Sequence, residues 1–219
     1  AIDSGVAKIS IENWEKYVRD LNARKGSDNK IIRLIRAKAK LEPKKIIYTE
    51  ADRLDVLKAA QIVCEEGIGI PILMGRIDRI KKLMKEIDFK HKLKIIDLSL
   101  EKSNKKIERF AKIFFKERKN KGLTLSQATK LMRARDYFAA MMVKTGKADA
   151  LISGYSRSYP EVVKPILKVI GKAKGVRKIA ATNLMLTSKG PIFLSDTSIN
   201  INPDYNDLAY ITIMTSNTA

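Results

Sequence analysis

Cysteine and histidine are almost absent from this chain of 219 residues, and each scarcity excludes a class of chemistry. With one cysteine, Cys64, no disulfide can form within the chain, and its position in a helical pattern favours a buried thiol over a nucleophile. The one histidine, His91, lies among lysines, so a Ser-His-Asp triad or a histidine-rich metal site has no support. We therefore expect a surface histidine and a reducing compartment, the cytoplasm.

Long apolar runs and two common cofactor motifs are also missing. No stretch of about 20 apolar residues and no secretory signal is present, so no membrane partner is expected. No GxGxxG follows a predicted strand, and no cluster of carboxylates is suited to a divalent metal. The sequence therefore predicts no cofactor bound by this chain itself.

Acidic residues are few relative to basic ones, 24 against 44, which gives a formal net charge of +20. The lysines and arginines are scattered at helical spacing between apolar residues, as on the solvated faces of amphipathic helices. Aromatic residues do not alternate with them along a groove, which single-stranded nucleic acid would require. We therefore favour an ordinary solvated basic surface over a surface that binds nucleic acid. A nucleic-acid-binding protein is kept as the least favoured hypothesis.

Alternating helices and strands organise most of the chain. Residues 1–29 are predicted to be a linker with a short helix from about Ile11 to Arg24. Further helices are predicted at Lys30–Leu41, Arg53–Glu66, Arg76–Ile87 and Asn104–Lys121, with one long helix from Thr124 to Gly146. Strands are predicted at Lys45–Thr49, Ile70–Gly75, Lys94–Asp97 and Ala148–Ile152. This order predicts an α/β fold with a parallel sheet flanked by helices.

The last third of the chain has a different pattern. A helix at Pro160–Ile170 precedes two apolar segments, Ile179–Leu186 and Ile192–Leu194, which a short turn joins into a predicted hairpin. A final helix begins at about Tyr205. We divide the chain into a first α/β subdomain at 30–155 and the start of a second at 156–219, which we expect to be truncated.

A short polar loop follows the predicted strand that ends at Ile152. Ser153, Gly154, Tyr155 and Ser156 stand between this strand and the next helix, which carries Lys164. A loop between a strand and a helix leaves N–H groups and hydroxyls free at the carboxyl edge of a sheet, where anions and phosphorylated cofactors bind. An ordinary strand-to-helix turn is the alternative reading.

Four segments of the chain resemble the phosphotransacetylase (phosphate acetyl/butyryl transferase) family: RKNKGLTLSQA, MMVKTGKADALISG, VVKPILKVIG and FLSDTSININPD. The resemblance extends from about Ile31 to the end of the chain and implies the phosphotransacetylase/isocitrate-dehydrogenase-like fold. The first residues, AIDSGVA, resemble the junction between the two domains of bacterial NADP-dependent malic enzymes. Those enzymes carry a phosphotransacetylase-like domain after a redox domain.

The resemblance implies acyl transfer between coenzyme A and phosphate, and it marks candidate residues. Arg118 matches an arginine of the family's active cleft, and Ser153–Ser156 match its phosphate and acyl loop. Asp196 matches an aspartate that follows the family's hairpin. The alternative roles are a surface cation for Arg118 and a capping residue for Asp196.

Three departures from the family pattern put catalysis in doubt. Lys164 stands where the family has arginine, and lysine lacks the fork that binds two phosphate oxygens at once. Asp55 stands where an arginine is expected after the first strand, with Arg53 as a nearby cation. The family's Ser-Arg-Gly motif would lie beyond residue 219.

The favoured hypothesis is that the chain is a regulatory domain of an NADP-dependent malic enzyme. Such an enzyme converts malate to pyruvate. The domain would bind acetyl-CoA and form homo-oligomers, dimers or larger, with weak or no transferase activity. NADP and a divalent metal would be bound only by the N-terminal redox domain, and acetyl-CoA or phosphate would be this domain's ligand. The alternative is an active phosphate acetyl- or butyryltransferase.

Overall fold

The computed structural model describes residues 13–18, 30–187, 190–196 and 198–218, and residues 14–18 belong to helix α1. The remaining helices are α2 Lys30–Leu41, α3 Leu54–Glu65, α4 Ile77–Glu86, α5 Asn104–Arg118, α6 Leu125–Met132, α7 Arg135–Lys144, α8 Tyr159–Val169 and α9 Tyr205–Ser216. The strands are β1 Lys44–Tyr48, β2 Gly69–Met74, β3 Lys94–Ile96, β4 Ala150–Ile152, β5 Thr182–Thr187 and β6 Gly190–Ser195. Most of the predicted linker at 1–29, and Ser188 and Lys189 of the predicted turn, lie outside the described residues.

Four parallel strands form the main sheet in the order β3-β2-β1-β4. Strands β1 and β4 are neighbours, with Tyr48 opposite Ile152, although about a hundred residues separate them in sequence. Helices connect the parallel strands, as parallel pairing requires. The predicted α/β class, with a parallel sheet flanked by helices, is confirmed.

Helices cover both faces of this sheet because successive side chains of each strand point to opposite faces. On one face, Ile47 and Ile72 pack in a core with helices α5, α6 and α7. On the other face, Tyr48 and Leu73 pack in a core with α3 and α4. The carboxyl edge of the sheet therefore lies between two helical layers, and loops are the only cover there among the described residues.

Three predicted strands end one residue too late. Thr49, Gly75 and Asp97 were assigned to strands, but each is the first residue after its strand. These residues therefore belong to the loops at the carboxyl edge, although the N–H groups of Thr49 and Gly75 still donate to the Ile152 and Ile96 carbonyls of the neighbouring strands. This difference matters because the side chains of Thr49 and Asp97 form hydrogen bonds with neighbouring segments at that edge.

The predicted long helix from Thr124 to Gly146 is wrong, because the structure has two helices there. The predicted capping box is present: the Thr124 hydroxyl accepts from the Gln127 N–H, and the Gln127 side chain accepts from the Thr124 N–H. The chain leaves the helical conformation at Ala134, whose ψ is 132°. Every residue of α7 from Asp136 to Met142 is buried. A straight continuation of the half-exposed α6 would not enter the core in this way.

Strands β5 and β6 pair antiparallel in a separate two-stranded sheet, as the hairpin pattern predicted. The first of them begins at Thr182, three residues later than predicted. Helix α9 begins at Tyr205, as predicted, and contacts β6. The division of the chain into subdomains at residue 155 stays a prediction.

His91 lies at the surface as expected, whereas Cys64 is less buried than the sequence predicted. Cys64 is half-buried and packs against the core beside α3 and α4, and burial raises the pKa of its thiol. His91 is exposed and contacts the ring of Phe89. Neither side chain lies in a nucleophilic or metal-binding arrangement in the described part of the chain.

Candidate functional site

The loops after β1 and β4 meet at the carboxyl edge of the sheet. The two strands are adjacent and parallel, so Thr49 and Ser153 leave them side by side. The Thr49 N–H donates to the Ile152 carbonyl at 3.1 Å, and the Thr49 hydroxyl donates to Ser153 Oγ at 2.8 Å. The first residues of the Ser153–Ser156 loop are therefore fixed to the end of β1.

The Ser153–Ser156 loop closes around the carboxylate of Glu50. The backbone N–H groups of Gly154, Tyr155 and Ser156 donate to Glu50 at 3.1, 2.8 and 3.2 Å, and the Ser156 hydroxyl donates as well. Gly154 has a φ of +101°, which favours glycine at this turn. Successive N–H groups that converge in this way form an anion-binding concavity. Here the bound anion is a side chain of the protein itself.

The charge of Glu50 is stabilised although the residue is only 5% exposed. Burial by itself disfavours a carboxylate, but the hydrogen bonds from the Ser156 hydroxyl and the three N–H groups outweigh it. The pKa of Glu50 is consequently below its ordinary value. Glu50 is therefore an ionised, fully hydrogen-bonded carboxylate at neutral pH.

A second carboxylate, Asp136, holds the loop from the side of helix α7. Ser153 Oγ donates to Asp136 Oδ1 at 2.7 Å, and Arg157 donates to Asp136 Oδ2 at 2.5 Å. Asp136 is 2% exposed, so both of its oxygens need these partners. Ser153 accepts from Thr49 and donates to Asp136, and no histidine is near it among the described residues. Its hydroxyl therefore ties elements together, and the arrangement is not that of a nucleophile.

Asp52 and Arg135 form a two-pronged ion pair beneath this loop, with N–O distances of 2.8 and 2.7 Å. Arg135 also donates to the Thr49 carbonyl at 3.2 Å. Burial by itself would raise the pKa of the Asp52 carboxyl. The hydrogen bonds and charge of Arg135 outweigh burial, so the pKa of Asp52 is below its ordinary value. A Cβ at Gly75 would lie 2.9 Å from Asp52 Cγ, so glycine is required after β2. The ion pair thus joins the ends of β1 and β2 to α7.

A carboxylate also stands at the outer side of the loop. Tyr155 is 57% exposed, and its hydroxyl donates to Asp55 in the first turn of α3. The hydrogen bond to Asp55 raises the pKa of the Tyr155 hydroxyl. Arg53 lies close enough for its charge to act in the opposite direction on that hydroxyl. Asp55 therefore faces the loop at the position where the family resemblance expects arginine.

The remaining predicted residues lie apart from this loop. Arg118 donates to the Lys168 carbonyl at 2.5 Å, in the last turn of α8. The loop precedes the first turn of that helix, and 11 residues separate the two ends by about 16 Å. Lys164 is exposed in the middle of α8, and no hydrogen bond or ion pair joins it to other described residues. The structure thus brings Ser153, Gly154, Tyr155 and Ser156 together but separates them from Arg118.

Asp196 follows β6 in the left-handed conformation, with a φ of +58°. Its Oδ1 accepts from the N–H and the side-chain amide of Asn200, and its Oδ2 is buried without a hydrogen bond in the described part of the chain. These contacts are those of a residue that holds the turn before α9. They correspond to the capping role that the sequence left open.

Six residues at this edge were not among the predicted site residues: Thr49, Glu50, Asp52, Arg135, Asp136 and Arg157. A carboxylate within the apolar run of α7 was the available signal for Asp136, because a buried charge must have partners. No signal in the sequence distinguished Arg157, because basic residues are abundant throughout the chain. Within the described residues, no group of three or more His, Cys, Asp or Glu side chains could hold a metal ion, and no helix could span a membrane.

Comparison with known proteins gives a consistent set of relatives. The family model for phosphate acetyl/butaryl transferase matches residues 30–219. The NADP-dependent malic enzyme of Haemophilus influenzae is 33% identical over 98% of this chain and 29% of its own length. The phosphate acetyltransferase of Thermoanaerobacterium thermosaccharolyticum is 33% identical over 86% of this chain and 58% of its own length.

Solved structures agree with these relatives. The phosphotransacetylase of Streptococcus pyogenes has a TM-score of 0.75 and 28% identity, over 86% of this chain and 57% of that one. The EutD phosphotransacetylase of Staphylococcus aureus also has a TM-score of 0.75, with 25% identity, over 86% of this chain and 56% of that one. The chain spans less than two thirds of the length of each of these relatives.

Proposed function

The chain belongs to the phosphate acetyl/butyryl transferase family, and from that premise we propose that it is the regulatory domain of an NADP-dependent malic enzyme. In this role it binds acetyl-CoA, forms homo-oligomers and has weak or no transferase activity. The similarity to malic enzymes along 98% of the chain supports this role. NADP and the divalent metal are assigned to another part of the enzyme, which carries out the redox step.

The observation that carries the proposal is that carboxylates occupy both sides of the Ser153–Ser156 loop. Glu50 takes the three N–H groups on the inner side, and Asp55 takes the Tyr155 hydroxyl on the outer side. An attacking phosphate dianion needs donors or cations that are already in place and unoccupied. At this loop it would instead meet two negative charges, which disfavours catalysis of acetyl transfer to phosphate.

Binding of acetyl-CoA makes weaker demands on the site than catalysis does. Its phosphate groups require exposed cations, and two are available: Arg53, which immediately precedes α3, and Lys164 in the middle of α8. Lysine and arginine both bind phosphate as charges, although only arginine does so with two parallel hydrogen bonds. These residues support a ligand site whose catalytic groups are incomplete.

The active transferase is the second candidate because phosphate acetyltransferases are equally similar in sequence. The Thermoanaerobacterium enzyme shares 33% identity over 86% of this chain. If this candidate is correct, phosphate must displace the carboxylates from the loop during turnover. Conversion of acetyl-CoA and phosphate to acetyl phosphate and coenzyme A would then be observed.

Calorimetry with acetyl-CoA and an assay of acetyl phosphate formation on the same sample separate the two candidates. We expect saturable binding without turnover. Turnover would establish the transferase instead, and the absence of both binding and turnover would contradict both proposals. Lys164→Ala is expected to weaken acetyl-CoA binding, and Lys116→Ala, which removes an exposed lysine from α5, is its control.

Substitution of Asp55 by arginine tests the part of the proposal that concerns phosphate. Because it replaces a negative charge beside Tyr155 by a guanidinium, Asp55→Arg is expected to increase affinity for inorganic phosphate by about tenfold. Asp78→Arg is the matched control, since Asp78 is an exposed first-turn aspartate of the neighbouring helix α4. Equal phosphate affinities of the two variants would show that Asp55 does not limit anion binding.

A further inference from the structure

A cavity lies beside β3, the edge strand of the main sheet that is farthest from β4 and the Ser153–Ser156 loop. Its volume is about 80 Å³, and it opens where β3 begins and α7 ends. Its lining divides into four apolar and four cationic residues: Ile96, Phe110, Phe138 and Met142, and Lys94, Lys106, Arg109 and Lys147. None of the described acidic residues lines it. The cavity is therefore apolar inside and positively charged around its rim.

The apolar part of the cavity is formed by residues of the main core. Phe110 is 5% and Phe138 1% exposed, and their ring centroids lie 4.9 Å apart. Met142 is also buried in the same core, on the helix that is buried along most of its length. These side chains are held by packing on several sides, so the cavity is preformed. Its size admits roughly five water-sized groups, which corresponds to a short hydrocarbon chain.

The cations at the rim are not neutralised by the protein. Lys94, Lys106, Arg109 and Lys147 make no side-chain hydrogen bond or ion pair with other described residues, and all four are exposed. Burial lowers the pKa of Lys94, and the charges of Lys106, Lys147 and Lys45 lower it further. The nearest carboxylate in sequence to Lys147 is Asp149, which accepts from the backbone N–H of Lys45. The cluster thus carries a repulsion that an anion would relieve.

We propose that this cavity binds a small amphipathic anion, in which one carboxylate or phosphate group is attached to a short apolar chain. The head group would lie among the four cations, where charge-assisted hydrogen bonds form, and the chain would enter the space beside Phe110, Phe138 and Met142. Apolar cavities with a few converging polar groups are the usual form of small-molecule sites. The site is separate from the Ser153–Ser156 loop.

Nucleic acid fits this surface less well than a small anion. Single strands bind where exposed aromatic rings stack on the bases. Here the aromatic rings are almost fully buried, so only the cations could contact a strand. The apolar interior would then be left unused.

Butyrate and butyl phosphate are suitable probes, because each joins one anionic group to a short apolar chain. Calorimetry and NMR titration of the whole chain are expected to show saturable binding of both probes. Inorganic phosphate, which has only the head group, and butanol, which has only the chain, are expected to bind at least about tenfold more weakly. Failure of both probes to bind would overturn the proposal. Equal binding of phosphate and butyl phosphate would also overturn it, because the apolar interior would then contribute nothing.

The double variant Lys106→Gln/Arg109→Gln tests the rim. Both side chains are exposed on α5, so the substitutions should leave the fold intact, as circular dichroism would verify. Binding of butyl phosphate is expected to weaken by about tenfold or more. The single variant Lys116→Gln, on the same helix but away from the cavity, should bind as the original chain does. Equal losses of butyl phosphate binding in both variants would refute the proposal. Displacement of butyl phosphate by DNA, with a DNA affinity that falls as salt rises, would also refute it.

This test is independent of the acetyl-CoA experiment. Lys106→Gln/Arg109→Gln leaves the residues of the Ser153–Ser156 loop unchanged, and Lys164→Ala leaves the cavity unchanged. Loss of acetyl-CoA binding alone therefore concerns the loop, and loss of butyl phosphate binding alone concerns the cavity.

Discussion

Glu50 is the residue on which the conformation of the Ser153–Ser156 loop depends. Four donors of that loop converge on its carboxylate, and three of them are backbone N–H groups. Hydrogen bonds to a charged group contribute more to stability than those between neutral groups. Glu50 is 5% exposed, so within the protein these donors supply the partners that its buried carboxylate needs. The side chain acts as a fixed internal anion.

Substitution of Glu50 by glutamine is expected to lower the free energy of unfolding by about 2 kcal/mol. The amide keeps the size of the carboxyl group, but its NH₂ would face N–H donors and leave them without an acceptor. Urea denaturation measures the change. Glu86→Gln is the matched control, because Glu86 is exposed at the end of α4 and should change stability by less than about 0.5 kcal/mol. Equal effects of the two variants would exclude this role for Glu50.

The break between α6 and α7 decides how this region of the molecule is built. Ala134 takes an extended conformation before the first turn of α7, and no side chain caps that helix. Arg135 then pairs with Asp52, and Asp136 binds the loop after β4. A continuous helix would not direct both side chains towards the carboxyl edge. The break therefore couples the helical layer to the candidate site.

Replacement of Ala134 by serine is expected to stabilise the protein by about 0.5 to 1 kcal/mol. Ala134 is exposed and already has the extended conformation of an N-cap residue, so the serine hydroxyl could accept from an N–H of the first turn. Thermal and urea denaturation measure the gain. Arg133→Ser is the control, since it adds the same hydroxyl one residue too early. A gain in the control but not in Ala134→Ser would contradict this account of the cap.

Two regions of the main sheet differ in charge. The carboxyl edge holds the buried acidic residues Glu50, Asp52, Asp97 and Asp136, whereas the unpaired cations lie around the cavity beside β3. For Glu50, Asp52 and Asp97, burial raises the pKa, but hydrogen bonds lower it by more, with the charge of Arg135 adding to this at the two aspartates. Their net pKa values are all below the ordinary ones.

Stability is therefore expected to fall in acid. A carboxylate whose pKa is lower in the folded than in the unfolded protein stabilises the fold above the unfolded-state value, about 4, and loses this contribution as pH falls through the folded-state value. The free energy of unfolding, measured in urea from about pH 6 down to about pH 3, should decline below about pH 4. In Glu50→Gln the decline should be shallower, and an unchanged slope would show that Glu50 is not one of the groups involved.

The class of the fold and most of its elements could be predicted from the sequence alone. Apolar periodicity located α2, the strands of the main sheet and the hairpin, because burial of one face leaves a repeating pattern within a short window. The family motifs located the Ser153–Ser156 loop, and the capping box at Thr124 was correct.

The surroundings of that loop could not be predicted in the same way, because they depend on contacts between distant parts of the chain. Glu50 and Ser156 are 106 residues apart in sequence, and Arg135 and Asp52 are 83 residues apart. Such pairs arise because the sheet places β1 beside β4, a neighbour relation that no local pattern records. The separation of Arg118 from the loop and the break at Ala134 follow from packing of the same kind. Local sequence fixes conformation over a few residues, whereas partners for buried charges are chosen by the fold as a whole.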